Sequence, residues 1–111
     1  MKTLLFASLV LVVNLATAKD STLSVPSDSR ATYDLVELRK AGTKRTVVTK
    51  RVGPSGTSFA IREIDCKAQT FRYLGEGDTL AEAKRNKKSE SMSPLSQGSI
   101  SYHVALAACD S

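Results

Sequence analysis

The chain has no tryptophan, a single histidine (His103) and only two cysteines (Cys66 and Cys109) among its 111 residues. With the two cysteines committed to each other, the single histidine is too little for a zinc centre, which takes three or four N, S or O donors. A general base needs a positioned partner. Ser101 lies only two residues from His103, on a different side of any helix, so a serine–histidine pair is geometrically poor there. Phosphate-cradling loops are missing too: Gly53-Pro-Ser-Gly56 lacks the lysine and following helix of such a loop and reads as a hairpin turn. The one long apolar run, residues 4–15, is interrupted by Ser8 and Asn14 and falls short of the about 20 residues that span a bilayer. There is no internal repeat.

That run follows Met1-Lys2 and leads to Ala16-Thr-Ala18, the pattern of a signal peptide over residues 1–18, cleaved between Ala18 and Lys19. No cysteine adjoins the cleavage point, so no lipid anchor is expected. The mature chain, residues 19–111, is then an exported protein, periplasmic or secreted, with no transmembrane segment and the size of one domain. Two cysteines in an exported chain imply one disulfide, Cys66–Cys109. Closing residues 67–108 into a loop contributes roughly 4 kcal/mol by the chain-entropy estimate. That rivals the net stability of a small domain. The net charge of +5 falls by one when Lys2 is removed. Such a balance favours acidic glycan or lipid surfaces weakly. It lacks the basic stripe of a dedicated nucleic-acid binder.

Residues 19–31 are polar, with Pro26 in the middle, and read as a flexible leader to a single domain over 32–111. In 32–39 Leu35 and Leu38 suit a helical turn, yet a hairpin loop with Gly42 and a clear strand follow, so a strand is expected. Residues 45–52 alternate β-branched and polar side chains, as a half-buried strand does. In 57–66, Ala60, Arg62, Ile64 and Cys66 share one face, and Phe59, Ile61, Glu63 and Asp65 the other. Neither face is apolar throughout. A bulge near Arg62-Glu63 would bring Ile61 and Ile64 to one side. A tight turn leads to a strand over 69–74. Residues 79–88 fit either a short helix, with Asp78 as N-cap, or an ordered loop; a Ser-rich linker with Pro94 follows. Residues 99–109 carry helix-favouring alanines behind Ser99 as N-cap. Ile100, Val104 and Ala107 form one apolar arc and Tyr102, Leu106 and Cys109 another, the mark of a helix covered on both sides. The expected fold is α+β: a small antiparallel meander with a C-terminal helix packed on one face and tied by the disulfide.

Ile64-Asp-Cys66, then Phe71-Arg-Tyr73, a polar insert, Pro94, Gly98-Ser99 and a helix ending in Cys109 resemble the surface-adhesin protein E family of small exported bacterial proteins. The likeness covers residues 57–109. It implies a twisted antiparallel sheet whose concave face holds the C-terminal helix through Cys66 and Cys109. It also implies attachment to host proteins, as in the family's named member. The chain departs from the pattern in having neither tryptophan nor a lipid-attachment cysteine.

Two carboxylate pairs, Glu63 with Asp65 and Glu76 with Asp78, offer too few oxygens for calcium. The candidate basic binding surface comprises Arg45, Lys50, Arg51, Arg62, Arg72, Lys84, Arg85, Lys87 and Lys88, with no aromatics interleaved along 84–88 for base stacking. No catalytic residue, metal site or cofactor is expected. The function expected is that of a non-enzymatic binding module, adhesin-like, for an unidentified protein or an acidic glycan or lipid surface. A periplasmic accessory of an envelope or secretion complex and an enzyme inhibitor are the rival expectations.

Overall fold

The computed structural model describes residues 21–110. The signal peptide and cleavage point expected at 1–18 lie outside the described residues. Six strands form one antiparallel sheet in sequence order: β1 (Ser21–Leu23), β2 (Thr32–Ala41), β3 (Lys44–Gly53), β4 (Gly56–Asp65), β5 (Thr70–Gly77) and β6 (Ser93–Pro94). Helix α1 (Leu80–Arg85) follows β5, and α2 (Ile100–Cys109) ends the chain. The α+β meander with a C-terminal helix is therefore present. The two central hairpins close as their turn residues dictate. Gly42 takes φ +63° in the two-residue β2–β3 loop, a conformation that costs a residue without Cβ little.

Two bulges set which side chains share a face. In β2, Leu35 pairs with Thr49 and Glu37 with Val48, leaving Val36 as the extra residue. This shift puts Tyr33, Leu35 and Leu38 on one face, so the helix-like spacing in the sequence belongs to a bulged strand. The bulge expected in β4 lies instead in β5. Strand β4 runs against β3 without interruption, while Leu74 is skipped between the Ile61–Gly75 and Arg62–Tyr73 pairs. Ile61 and Ile64 consequently stay on opposite faces.

Each face carries one helix. Leu38, Val47, Arg62 and Tyr73 form a row across β2 to β5 on the face covered by α2. There Val47, Ile64 and Val104 are completely buried, joined by Leu23, Val25, Tyr33, Leu35, Ala105 and Ala108. The row Glu37, Val48, Ile61 and Gly75 lies on the opposite face, beneath α1. Gly75 is required there, because a Cβ would run into the Ala83 carbonyl.

Several local expectations change. The segment read as a flexible leader carries β1, paired with β2 from Ser21–Leu35 to Leu23–Tyr33, and a 3-10 turn over Pro26–Asp28. Its Leu23 and Val25 enter the core. The Ser-rich linker carries β6, which pairs Pro94 with Thr70 and Ser93 with Phe71. Helix α1 is capped by Thr79, whose hydroxyl accepts from Glu82 N at 3.1 Å; Asp78 N instead donates to the Glu82 carboxylate at 2.8 Å. In α2 the buried arc is Ser101, Val104, Ala105 and Ala108, and Leu106 is 48% exposed. The helix therefore has one covered side rather than two.

The disulfide is formed. Cys66 lies just beyond β4, Cys109 closes α2, and their Cα atoms are 5.8 Å apart. Arg45 strengthens the same corner by donating from Nε to the Ala108 carbonyl at 3.2 Å, where the helix dipole is negative. No helix among the described residues is long and apolar enough to cross a membrane.

Candidate functional site

Arg62 sits in the middle of the face that α2 covers and is only 3% exposed. A buried guanidinium is normally neutralised by a carboxylate, since an unpaired charge away from water is costly. Here every partner is neutral. Nε donates to Ser101 Oγ at 2.9 Å, Nη1 to Thr49 Oγ1 at 3.0 Å and Nη2 to Tyr73 OH at 3.2 Å. The guanidinium carbon also lies 4.9 Å from the Tyr73 ring centroid, within cation–π range. No described carboxylate comes within ion-pair distance. The group is held by β3, β4, β5 and the first turn of α2 together.

Over Arg62 lies a cleft of about 180 Å³, lined also by Tyr33, Thr49, Arg51, Ser58, Ala60, Tyr73, Glu76 and Ile100. Its second cation, Arg51, is committed: Nε donates to Asp28 Oδ2 at 2.8 Å and to Tyr33 OH at 3.2 Å. Tyr33 OH in turn donates to Asp28 Oδ2 at 2.7 Å. Hydrogen bonding to Arg51, then to Tyr33, holds the Asp28 carboxyl below its usual range. Burial, then the hydrogen bond to Asp28, pushes the Tyr33 phenol up. This triad fastens the 3-10 turn to β2 and β3 and forms one wall of the cleft. Glu76 is balanced by Lys88 at 3.7 Å.

The nine basic residues expected to form a binding surface are spread over both faces of the sheet. Arg62 is buried, so it is not a surface residue. Arg45 is spent on the carbonyls of Gly42, Lys44 and Ala108. Arg51 pairs with Asp28, Arg72 with Glu63 at 2.7 Å, Lys84 with Glu37 at 3.6 Å, and Lys88 with Glu76. Lys50, Arg85 and Lys87 form no ion pair with a described residue.

The carboxylate pairs separate by role. Glu63 faces Arg72 and Lys44, whereas Asp65 accepts from Lys67 N and Ala68 N, both at 3.0 Å, in the β4–β5 turn. The hydrogen bond from Ala68 leads in lowering the Asp65 pKa. His103 packs edge-on against Tyr102 and lies on a groove with Ser24, Pro26 and Leu106, away from the Arg62 cleft. Among the described residues no three His, Cys, Asp or Glu side chains gather as a metal site would require.

The cleft escaped the sequence reading, although its signal was present. Ala60, Arg62, Ile64 and Cys66 alternate on the face that carries the disulfide cysteine. An arginine next to the core position Ile64 on such a face is a candidate for burial. The expected bulge moved it out of the core and hid that reading. No protein-family model, curated protein or solved structure matches this chain.

Proposed function

We propose that this chain is a small exported, non-enzymatic binding module that acts in the periplasm or outside the cell. The observation that carries this is Arg62: a buried cation without a carboxylate partner, at the floor of a cleft that the fold has already built. A fold selected for stability alone gains little from an unneutralised buried charge, whereas a binding site gains a fixed point of recognition. The disulfide, which persists in oxidising compartments, supports export. Adhesin-like attachment to a protein or an acidic glycan or lipid surface is the fuller form of the proposal. Lys50, Arg85 and Lys87, three of the expected basic residues that form no ion pair with a described carboxylate, are its contact points.

A second reading, an accessory of an envelope complex, draws on β2. Beyond Leu35 its outer edge has no described strand partner, and strand addition uses such an edge. One experiment separates them. Tagged oxidised chain is used to retrieve partners from periplasmic and external fractions, with washes at low and high salt. Salt-released external partners fit attachment; a salt-resistant periplasmic membrane complex fits the accessory. Retention of nothing in either fraction contradicts both.

A further inference from the structure

We infer that the cleft over Arg62 binds a carboxylate group, held by the unused N–H donors of that guanidinium. This rests on reading the chain as a binding module and names the chemistry its cleft selects. A guanidinium has five N–H donors in one plane. Three of them meet the hydroxyls of Ser101, Thr49 and Tyr73. Two remain without a described acceptor, and Arg62 lines the cleft. A carboxylate offers two oxygens in one plane and matches such a donor pair bidentately.

Charge selects a monoanion. Arg51 is neutralised by Asp28 and Glu76 by Lys88, which leaves the single positive charge of Arg62. One carboxylate cancels it. A dianionic phosphate would leave an excess negative charge beside Glu76. The first turn of α2 borders the same space: Ser101 bonds to Arg62 and Ile100 lines the cleft. Tyr73 accepts from Nη2, has its ring centroid 4.9 Å from the guanidinium carbon and is itself T-shaped against Phe71, which helps to fix the group in place. The space suits a ligand head of a few atoms rather than a polymer backbone. A small organic acid and the C-terminus of a peptide present this same group.

The test is an NMR titration of the isotopically labelled, oxidised exported chain at constant ionic strength. The probes are acetate, a short N-acetylated peptide with a free C-terminus, the same peptide amidated, and inorganic phosphate. Saturable shifts of the Arg62 Nε–Hε signal and of the Ser58 and Ala60 amides are expected with acetate or the free peptide. The amidated peptide and phosphate should bind at least tenfold more weakly. Equal binding of acetate and free peptide assigns the cleft to small acids; at least tenfold tighter binding of the peptide assigns it to chain termini. Arg62→Met should weaken binding at least tenfold. Ala60→Leu, which fills the cleft without removing a charge, should do the same with the disulfide and signal dispersion intact, and it decides the matter if Arg62→Met does not fold. Absence of saturable shifts, phosphate or amide binding as tight as carboxylate, or unchanged binding in Ala60→Leu would overturn the inference. If partners are retrieved from the fractions while the titration fails, the carboxylate assignment alone falls. If acetate binds and nothing is retrieved, the macromolecular partner falls instead.

Discussion

The two faces of the sheet are closed by different means. On one, α1 folds back over the strands that immediately precede it: it contacts β5 and β4, lies over Gly75 and Gly77, and is trimmed by the exposed pair Lys84–Glu37. On the other, α2 arrives from the far end of the chain, 43 residues beyond the strand end it is bonded to. Short-range closure needs little beyond a cap and two glycines. Long-range closure loses more chain entropy, and here a covalent bond offsets part of it. The α1 face is a lid over β-branched side chains. The α2 face is a core with a charge built into it, and that is where the cleft opens.

The comparison can be broken most severely at the disulfide. Replacing Cys66 and Cys109 together by alanine should cost about 4 kcal/mol, the closure term for this loop. Chemical denaturation would measure it, and hydrogen exchange should show α2 freed before α1. Ile64→Ala, at a completely buried site on the α2 face, should cost about 3 kcal/mol through lost burial and the cavity left. Gly75→Ala probes the other face. Its Cβ meets the Ala83 carbonyl, so α1 must shift, at about 2 kcal/mol for an overpacked contact. Amides of α1 should lose protection while those of α2 keep theirs. Thr79→Ala removes the α1 cap and should cost about 1 kcal/mol in the same denaturation assay.

Asp28 gives the gentlest perturbation and sharpens the account of the α2 face. Its carboxyl is held below the ordinary value of 3.8 by Arg51 and Tyr33. A depressed pKa contributes stability that is present above the ordinary value and is lost as pH falls through the folded-state value. Acidification below 3.8 should therefore release the 3-10 turn and β1 from Tyr33 and Arg51 while α2 stays clamped. Asp28→Asn should remove the acid response of the 3-10 turn's amide signals that depends on the Asp28 contacts with Arg51 and Tyr33.

Much of this is written in the sequence, but unevenly. Alternation marks β3 and β4, Gly42 and Pro54 mark the hairpins, and Ser99 with the alanines marks α2; these signals are local and strong. The two cysteines give the long-range tie because they have no other partner. Strand β1 is hidden because only Leu23 and Val25 are apolar in a polar stretch, and its formation depends on the edge of β2 that receives it. Two-residue β6 has no periodicity to read. The bulges at Val36 and Leu74 belong to strand pairs, so neither strand alone reveals them. Arg62 is the instructive case. Its place in the alternation is plain, but its burial depends on Thr49, Tyr73 and Ser101 arriving from three other elements.

The central claim is that Arg62 lies locked between the sheet and α2, and the most direct measurement is the NMR signal of its Nε–Hε group in the oxidised chain. A resolved, slowly exchanging signal shifted from free arginine, with a nuclear Overhauser contact to Ser101 and collapse on reduction of the disulfide, is the predicted result. A rapidly exchanging signal at the free-arginine position in the oxidised chain would contradict it.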